Sequence, residues 1–324
     1  MESNFSIYTT LLTMESLDIL TSNAIPAFIF GALTYCGIMF FNVSILLTLV
    51  FNRKLHKPMY VLLINMPLND MIGATVFFPH LLFSILTENR FVSYSICFAE
   101  AFLTHIYVSG LTNLLTAMAY DRYIAICSPL KYNTLMSSNN LIKIIIIVWC
   151  LDYSLIGTVF ILSFRKQICS TKIVDIFCNN PSLLKLICGD TSVNNYFGLF
   201  VTFFKQGIIV MSVVYTYVQI LITVIYKRQA DAKRKAIQTC GTHLIVFLCL
   251  ECNLLFGLTA HRIEGASPTL RKAAGASIMI FPPILNPLIY GLKTKEIRQN
   301  LVFLPKKIKK VSTEKQKKKN CKMK

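Results

Sequence analysis

The sequence predicts an all-α membrane protein: a seven-helix transmembrane bundle followed by a short amphipathic helix on the cytoplasmic surface. Two observations carry that prediction. Of the 324 residues, 54% are hydrophobic and only 15% charged, with a mean hydropathy of +0.57, whereas a soluble domain carries roughly 25% charged residues. The apolar residues fall in long runs, and about 20 of them suffice to cross a bilayer as helix. The second observation is the sidedness of Lys and Arg in the connections. Alternate connections carry 8 on one side and 24 on the other, which places the N-terminus outside and the C-terminus inside and requires an odd number of spans.

In order, the expected spans are 24–51, 58–86, 97–121, 140–164, 196–226, 236–260 and 272–292. Residues 1–23 form an extracellular N-terminal segment. They contain no Lys or Arg, so no cleavable signal peptide is expected and the first span serves as its own insertion signal. Asn4 opens an Asn-Phe-Ser acceptor triplet for glycosylation. The seven-span bundle then occupies 24–292. Residues 293–304 alternate basic and apolar side chains, as in a helix lying on the inner leaflet. Residues 305–324 are too polar to build a core and are expected to be disordered. Thirteen of the 33 basic residues lie between Lys293 and Lys324, so the net charge of +18 belongs mostly to this tail and suits anionic membrane lipid rather than nucleic acid.

Cys97, Cys169, Cys178 and Cys188 all fall on the expected outer face, where disulfides persist. Four cysteines allow three pairings, and spacing does not choose among them. No His-Glu-x-x-His or Gly-x-Ser-x-Gly stretch occurs, so an enzyme is not expected. The chain shows no internal repeat and no continuous polar pathway, which disfavours a transporter or channel.

At the inner end of the third span stand Met118-Ala119-Tyr120-Asp121-Arg122-Tyr123 and Ile124-Ala125-Ile126-Cys127, then Pro129-Leu130-Lys131-Tyr132. Lys57-Pro58-Met59-Tyr60 enters the second span. Lys235-Ala236, Thr239-Cys240 and His243 enter the sixth, and Pro283-Ile284-Leu285-Asn286-Pro287-Leu288-Ile289-Tyr290 closes the seventh. In register over residues 24–300, these motifs resemble the odorant receptors of the rhodopsin-like G-protein-coupled class. Pro67, Gln238 and Gly241 depart from the commonest mammalian pattern and resemble the fish type.

The resemblance implies a receptor that binds a small-molecule odorant in the outer half of the bundle and activates a heterotrimeric stimulatory G protein, raising cAMP, without a cofactor or metal. It implies the plasma membrane of olfactory cilia; a related receptor acting outside the olfactory epithelium is the alternative. The seventh span carries no mid-membrane lysine for a retinal Schiff base, so an opsin is not expected. By resemblance Cys97 pairs with Cys178 and Cys169 with Cys188. Asp121 restrains Arg122 at rest, and Arg122, with Tyr123, His243, Asn286, Pro287, Tyr217 and Tyr290, forms the coupling and switch region. The other reading of Asp121 and Arg122 is an ordinary interfacial ion pair.

Asn42, Asp70 and Asn286 fall mid-span and are expected to share a buried polar network, either as a switch or as static glue between helices. Leu111 faces the place where further coordination would help, which disfavours sodium. Pro282, Pro283 and Pro287 leave backbone groups of the seventh span unpaired. Counting helical turns from Cys97, the third span offers Thr104, His105, Val108, Ser109 and Thr112 to a ligand pocket. Aligned on the family motifs, the fifth and sixth spans add Lys205, Glu251 and Leu255. Lys205 and Glu251 are opposite charges in mid-membrane, where ionisable groups are costly and by default functional. One reading pairs them at the pocket floor. The other leaves Glu251 protonated while Lys205 snorkels away, and His105 is nearly as well explained as a hydrogen-bonded core residue.

Overall fold

The computed structural model describes residues 10–17, 21–52, 55–87, 89–164, 166–226, 230–260, 267–293 and 295–301. Seven long helices dominate it: α1 (Thr21–Phe51), α2 (Pro58–Thr87), α3 (Tyr94–Cys127), α4 (Ser138–Phe164), α5 (Ser192–Tyr226), α6 (Ala230–Ala260) and α7 (Pro268–Lys293). A short α8 (Lys295–Leu301) follows. Asn4 and most of the basic tail lie outside the described residues.

Six of the helices are long and apolar enough to cross a membrane; α3 is the less apolar one. Its place in the bundle explains why. α3 packs against α2, α4, α5 and α6, so its polar side chains meet protein rather than lipid. Eighteen of its 34 residues are buried. α4, by contrast, is the most apolar with α5 and among the least buried, because much of its surface faces outward with Ile146, Ile147 and Leu151 exposed. Apolar outside and polar inside is the arrangement a bilayer solvent selects.

Close approach of the helices depends on glycine, since lipid supplies no hydrophobic drive between apolar surfaces. Gly73 of α2 lies against the ring of Tyr107 on α3, and Gly110 of α3 lies against Trp149 of α4. A Cβ at Gly73 would stand 2.5 Å from the Tyr107 ring, and one at Gly110 would stand 2.7 Å from Trp149.

The structure adds strands to the expected all-α fold. β1 (Leu11–Thr13) pairs antiparallel with β2 (Phe91–Ser93), which leads directly into α3. Thr13 also bridges to Lys172 in the long connection between α4 and α5, with Thr13 N donating to Thr171 O at 2.7 Å and Ile173 N to Thr13 O at 2.9 Å. Leu12 and Met14 are buried in a core of their own with Val92, Tyr94, Ile173 and Cys178. Lys272, at the start of α7, donates from Nζ to Ser16 O at 2.5 Å and stands 4.0 Å from Glu15. The N-terminal segment is therefore strapped across this end of the bundle.

Two disulfides fix the long connection beside it: Cys97–Cys178 ties it to the start of α3, and Cys169–Cys188 closes a loop within it. A one-turn helix, Asn180–Leu184, is capped by Asn179, which accepts from Ser182 N at 2.9 Å.

Gly73→Ala should lower thermal stability by about 1–3 kcal/mol through overpacking against the buried Tyr107 ring. Gly37→Ala, where a Cβ meets nothing within 4 Å, should leave it unchanged. Melting curves of the purified receptor check both, and equal melting temperatures for the two variants would refute the close-contact account.

Candidate functional site

The interior of α7 contains three prolines, Pro282, Pro283 and Pro287, and each removes the N–H that would bond the carbonyl four residues back. For Pro287 that carbonyl is Pro283 O; for Pro282 it is Ile278 O. Asn42 of α1 donates to Pro283 O at 3.0 Å, and Tyr107 of α3 donates to Ile278 O at 3.4 Å. Side chains of two other helices thus replace backbone bonds the prolines delete. Beside them Asn286 donates to both oxygens of Asp70, at 3.2 and 3.1 Å. Asn42, Asp70, Asn286, Pro287 and Tyr290 line one small cavity with Ile45 and Met66. Asn69, one residue before Asp70, reaches Tyr107 O at 2.9 Å and locks α2 to α3.

Toward the C-terminal end of the bundle, Asp121 is buried, accepts from the Tyr132 hydroxyl at 2.9 Å, and stands 3.9 Å from Nε of Arg122. Tyr132 lies beyond the end of α3, where burial first and then the Asp121 carboxylate push its phenol well above the ordinary range. It therefore remains a donor at neutral pH. Tyr217 donates to Cys240 O at 3.1 Å, joining α5 to α6. Tyr290 meets His243 Nδ1 at 3.4 Å, joining α7 to α6. Cys127 Sγ meets Thr223 Oγ1 at 3.1 Å, and the Tyr123 and Tyr215 rings lie 5.9 Å apart, joining α3 to α5.

The second polar group lies among α3, α4, α5 and α6. Its centre is Asp152 of α4, 1% exposed. Asp152 Oδ1 accepts from Ser109 at 2.6 Å and from the Lys205 ammonium, and Oδ2 accepts from Asn113 at 2.8 Å. The adjacent Gln206 donates to Glu251 Oε2. The anticipated Lys205–Glu251 ion pair is therefore replaced by two pairings. A carboxylate on α4, closer to the Lys205 head, takes the lysine, and an amide takes Glu251.

Two further candidate residues lie apart from this polar group, and His105 takes the core position that is its alternative reading. Leu255 is 59% exposed on the lipid-facing side of α6, one helical turn beyond Glu251 but rotated out of the bundle. His105 turns toward α4, its ring 5.3 Å from that of Phe160 and its Nδ1 2.9 Å from Ala101 O, so it belongs to the α3–α4 seam. Thr104 is buried, Val108 packs half-buried on the main core, and Thr112 bonds back to Ser109 O at 2.9 Å.

Sequence reasoning misses Asp152, Asn113 and Gln206, and with them a pair near the N-terminal end, His80 of α2 with the buried Glu100 of α3 at 3.3 Å. A signal is present in each acid: a carboxylate inside an apolar run must find a partner. Asp152 and Lys205 are the opposite charges of facing spans.

A tyrosine-rich C-terminal end around an Asp-Arg pair, an α7 whose backbone ladder lacks the donors at its prolines, and a disulfide-capped N-terminal end together define a rhodopsin-like seven-helix receptor. Squid rhodopsin superposes with a TM-score of 0.72 over 89% of each chain, at 14% identity. The chain belongs to the olfactory receptor family, whose profile matches residues 31–307. It is 31% identical to human olfactory receptor 52J3 over 81% of this chain and 85% of that one. It is 31% identical to mouse olfactory receptor 4E2, covering 84% and 87%, and 34% identical to human olfactory receptor 7G2, covering 80% of each. It is a multi-pass membrane receptor, not an enzyme.

Two double-variant cycles test these contacts. Asn42→Leu should cost about 1–3 kcal/mol by orphaning the Pro283 carbonyl. Adding Pro287→Ala to the same chain should recover most of that loss, because alanine restores the missing N–H. Asp152→Asn should cost about 3–5 kcal/mol by leaving Lys205 without its counter-charge, and adding Lys205→Met should return much of it. Strict additivity in melting temperature would refute either pairing.

Proposed function

We propose that the chain is an odorant receptor that binds a small molecule among α3, α5 and α6 and activates a stimulatory heterotrimeric G protein, raising cAMP. The N-terminus faces the exterior, and the receptor sits in the plasma membrane of olfactory cilia. Membership of the olfactory receptor family supports the sensory role, and the positive charge concentrated on the opposite side supports the orientation.

The observation that carries coupling is the arrangement at the C-terminal end. α6 is held to α5 by Tyr217–Cys240 and to α7 by Tyr290–His243, beside Asp121 and Arg122. Releasing those two bonds frees α6 to move outward and uncovers Arg122 and Tyr123 for the G protein. Ligand favours that arrangement only by contacting it more tightly than the resting one. Asn286 and Pro287 form the hinge region through which α7 follows, and Asp70 with Asn42 supplies the alternative hydrogen-bond partners. The basic residues of α8 and of the chain beyond it favour contact with anionic lipid.

In cells expressing the chain with a stimulatory G protein, an odorant panel should elicit a ligand-dependent cAMP rise. Arg122→Ala should abolish it at equal surface expression. A response undiminished in Arg122→Ala would overturn the coupling role of that residue.

A further inference from the structure

Among the described side chains of the seven long helices, four carboxylates lie apart from the Asp121–Arg122 pair, and three of them leave no buried oxygen without a hydrogen-bond partner. Glu100 has His80. Asp70 has both oxygens on the Asn286 amide. Asp152 has Ser109, Asn113 and the Lys205 ammonium, which leaves neither charge of that pair uncompensated. Glu251 is different. Its Oε2 accepts from the neutral Gln206 amide, while its Oε1 is shielded from solvent and has no hydrogen-bond partner.

A buried carboxylate oxygen without a donor is expensive, and an uncompensated carboxylate charge more so. A donor that also carries positive charge completes the oxygen and compensates the charge in one contact, since ammonium–carboxylate bonds are about twice as strong as neutral ones. Lys205, the residue before Gln206, is engaged by Asp152 and so neither supplies that charge nor recruits an anion. An alkyl carboxylate would meet a like charge at Glu251 and a neutralised lysine beside it. An alcohol would fill the hydrogen bond but leave the charge.

Resting on the odorant-receptor reading of this same site, we infer that the receptor's ligands are small aliphatic or aromatic amines, with the ammonium on Glu251 Oε1 and the apolar part against α3. Glu251 is the specificity-determining residue, Gln206 positions it, and the Asp152–Lys205 pair keeps the neighbouring lysine from opposing the ligand.

The test is ligand-dependent thermal stabilisation of the full-length purified receptor, which needs no G protein. The probes are n-pentylamine, cyclohexylamine and benzylamine, against n-pentanol, cyclohexanol and benzyl alcohol, and against n-pentanoic, cyclohexanecarboxylic and benzoic acids. Amines should raise the melting temperature well above the matching alcohols and acids. Glu251→Gln should weaken the amine effect about 10- to 100-fold in apparent affinity, and Glu251→Asp should retain the preference for amines. Should Glu251→Gln fail to fold, the wild-type rank order still decides. Stabilisation by acids or alcohols at least equal to that by amines, no stabilisation by any amine, or full amine response in a folded Glu251→Gln would each overturn the inference. Amine binding without a cAMP response would sink the coupling reading and leave this one standing. An Arg122-dependent cAMP response confined to acids or neutral odorants would do the reverse.

Discussion

A bilayer offers no water to a polar group, so a donor or acceptor inside the bundle that protein leaves unsatisfied is costly. Most of the cross-helix architecture follows from that constraint. The prolines of α7 delete backbone donors, and the carbonyls they orphan are claimed by Asn42 and Tyr107. Those side chains fix where α1 and α3 stand relative to α7. Tyr107 is in turn held from the other side by Asn69 on its carbonyl and by Gly73 against its ring. Two proline-imposed vacancies in one backbone ladder thereby set the relative positions of four helices. Burying Asp152 does the same for α3, α4 and α5, because its two oxygens collect donors from both neighbours.

The parts of this fold that are legible in the sequence are those written in single segments. Seven apolar runs, the sidedness of the basic residues and the family motifs mark the spans and the Asp121, Arg122, Tyr217 and Tyr290 cluster. Partners across helices are less legible, because hydropathy fixes how far a residue lies along a span but not how the helix is rotated about its axis. Lys205 and Glu251 both stand out as anomalous charges, yet their pairing depends on rotation, and Asp152 on a third helix lies nearer. Leu255 fails for the same reason, one turn from Glu251 but facing lipid. The β1–β2 ribbon is invisible because three residues per strand carry no usable periodicity; its register comes from Thr13 meeting both Phe91 and Lys172.

The two ends of the bundle are fastened by interactions of different strength, and this asymmetry bears on how such a molecule moves. At the N-terminal end the fastenings include covalent bonds, a lysine ion pair and a backbone ribbon. They comprise Cys97–Cys178 and Cys169–Cys188, the strapped β1, the Lys272 contacts with Glu15 and Ser16, and His80–Glu100. At the other end α6 is held by Tyr217–Cys240 at 3.1 Å and Tyr290–His243 at 3.4 Å. Neutral hydrogen bonds of this kind contribute about 1 kcal/mol each net, a sum comparable to the few kcal/mol that separate conformers in a switchable protein. Severing a disulfide or pulling a buried ion pair apart costs several-fold more. Motion is therefore concentrated at the C-terminal ends of α5 and α7 and the N-terminal end of α6, with the disulfide-bearing end of the bundle as the fixed frame. Glu251 lies on α6 between the two, bound to α5 by one amide. A change in what Glu251 touches is thus applied to the helix whose far end is the most weakly held.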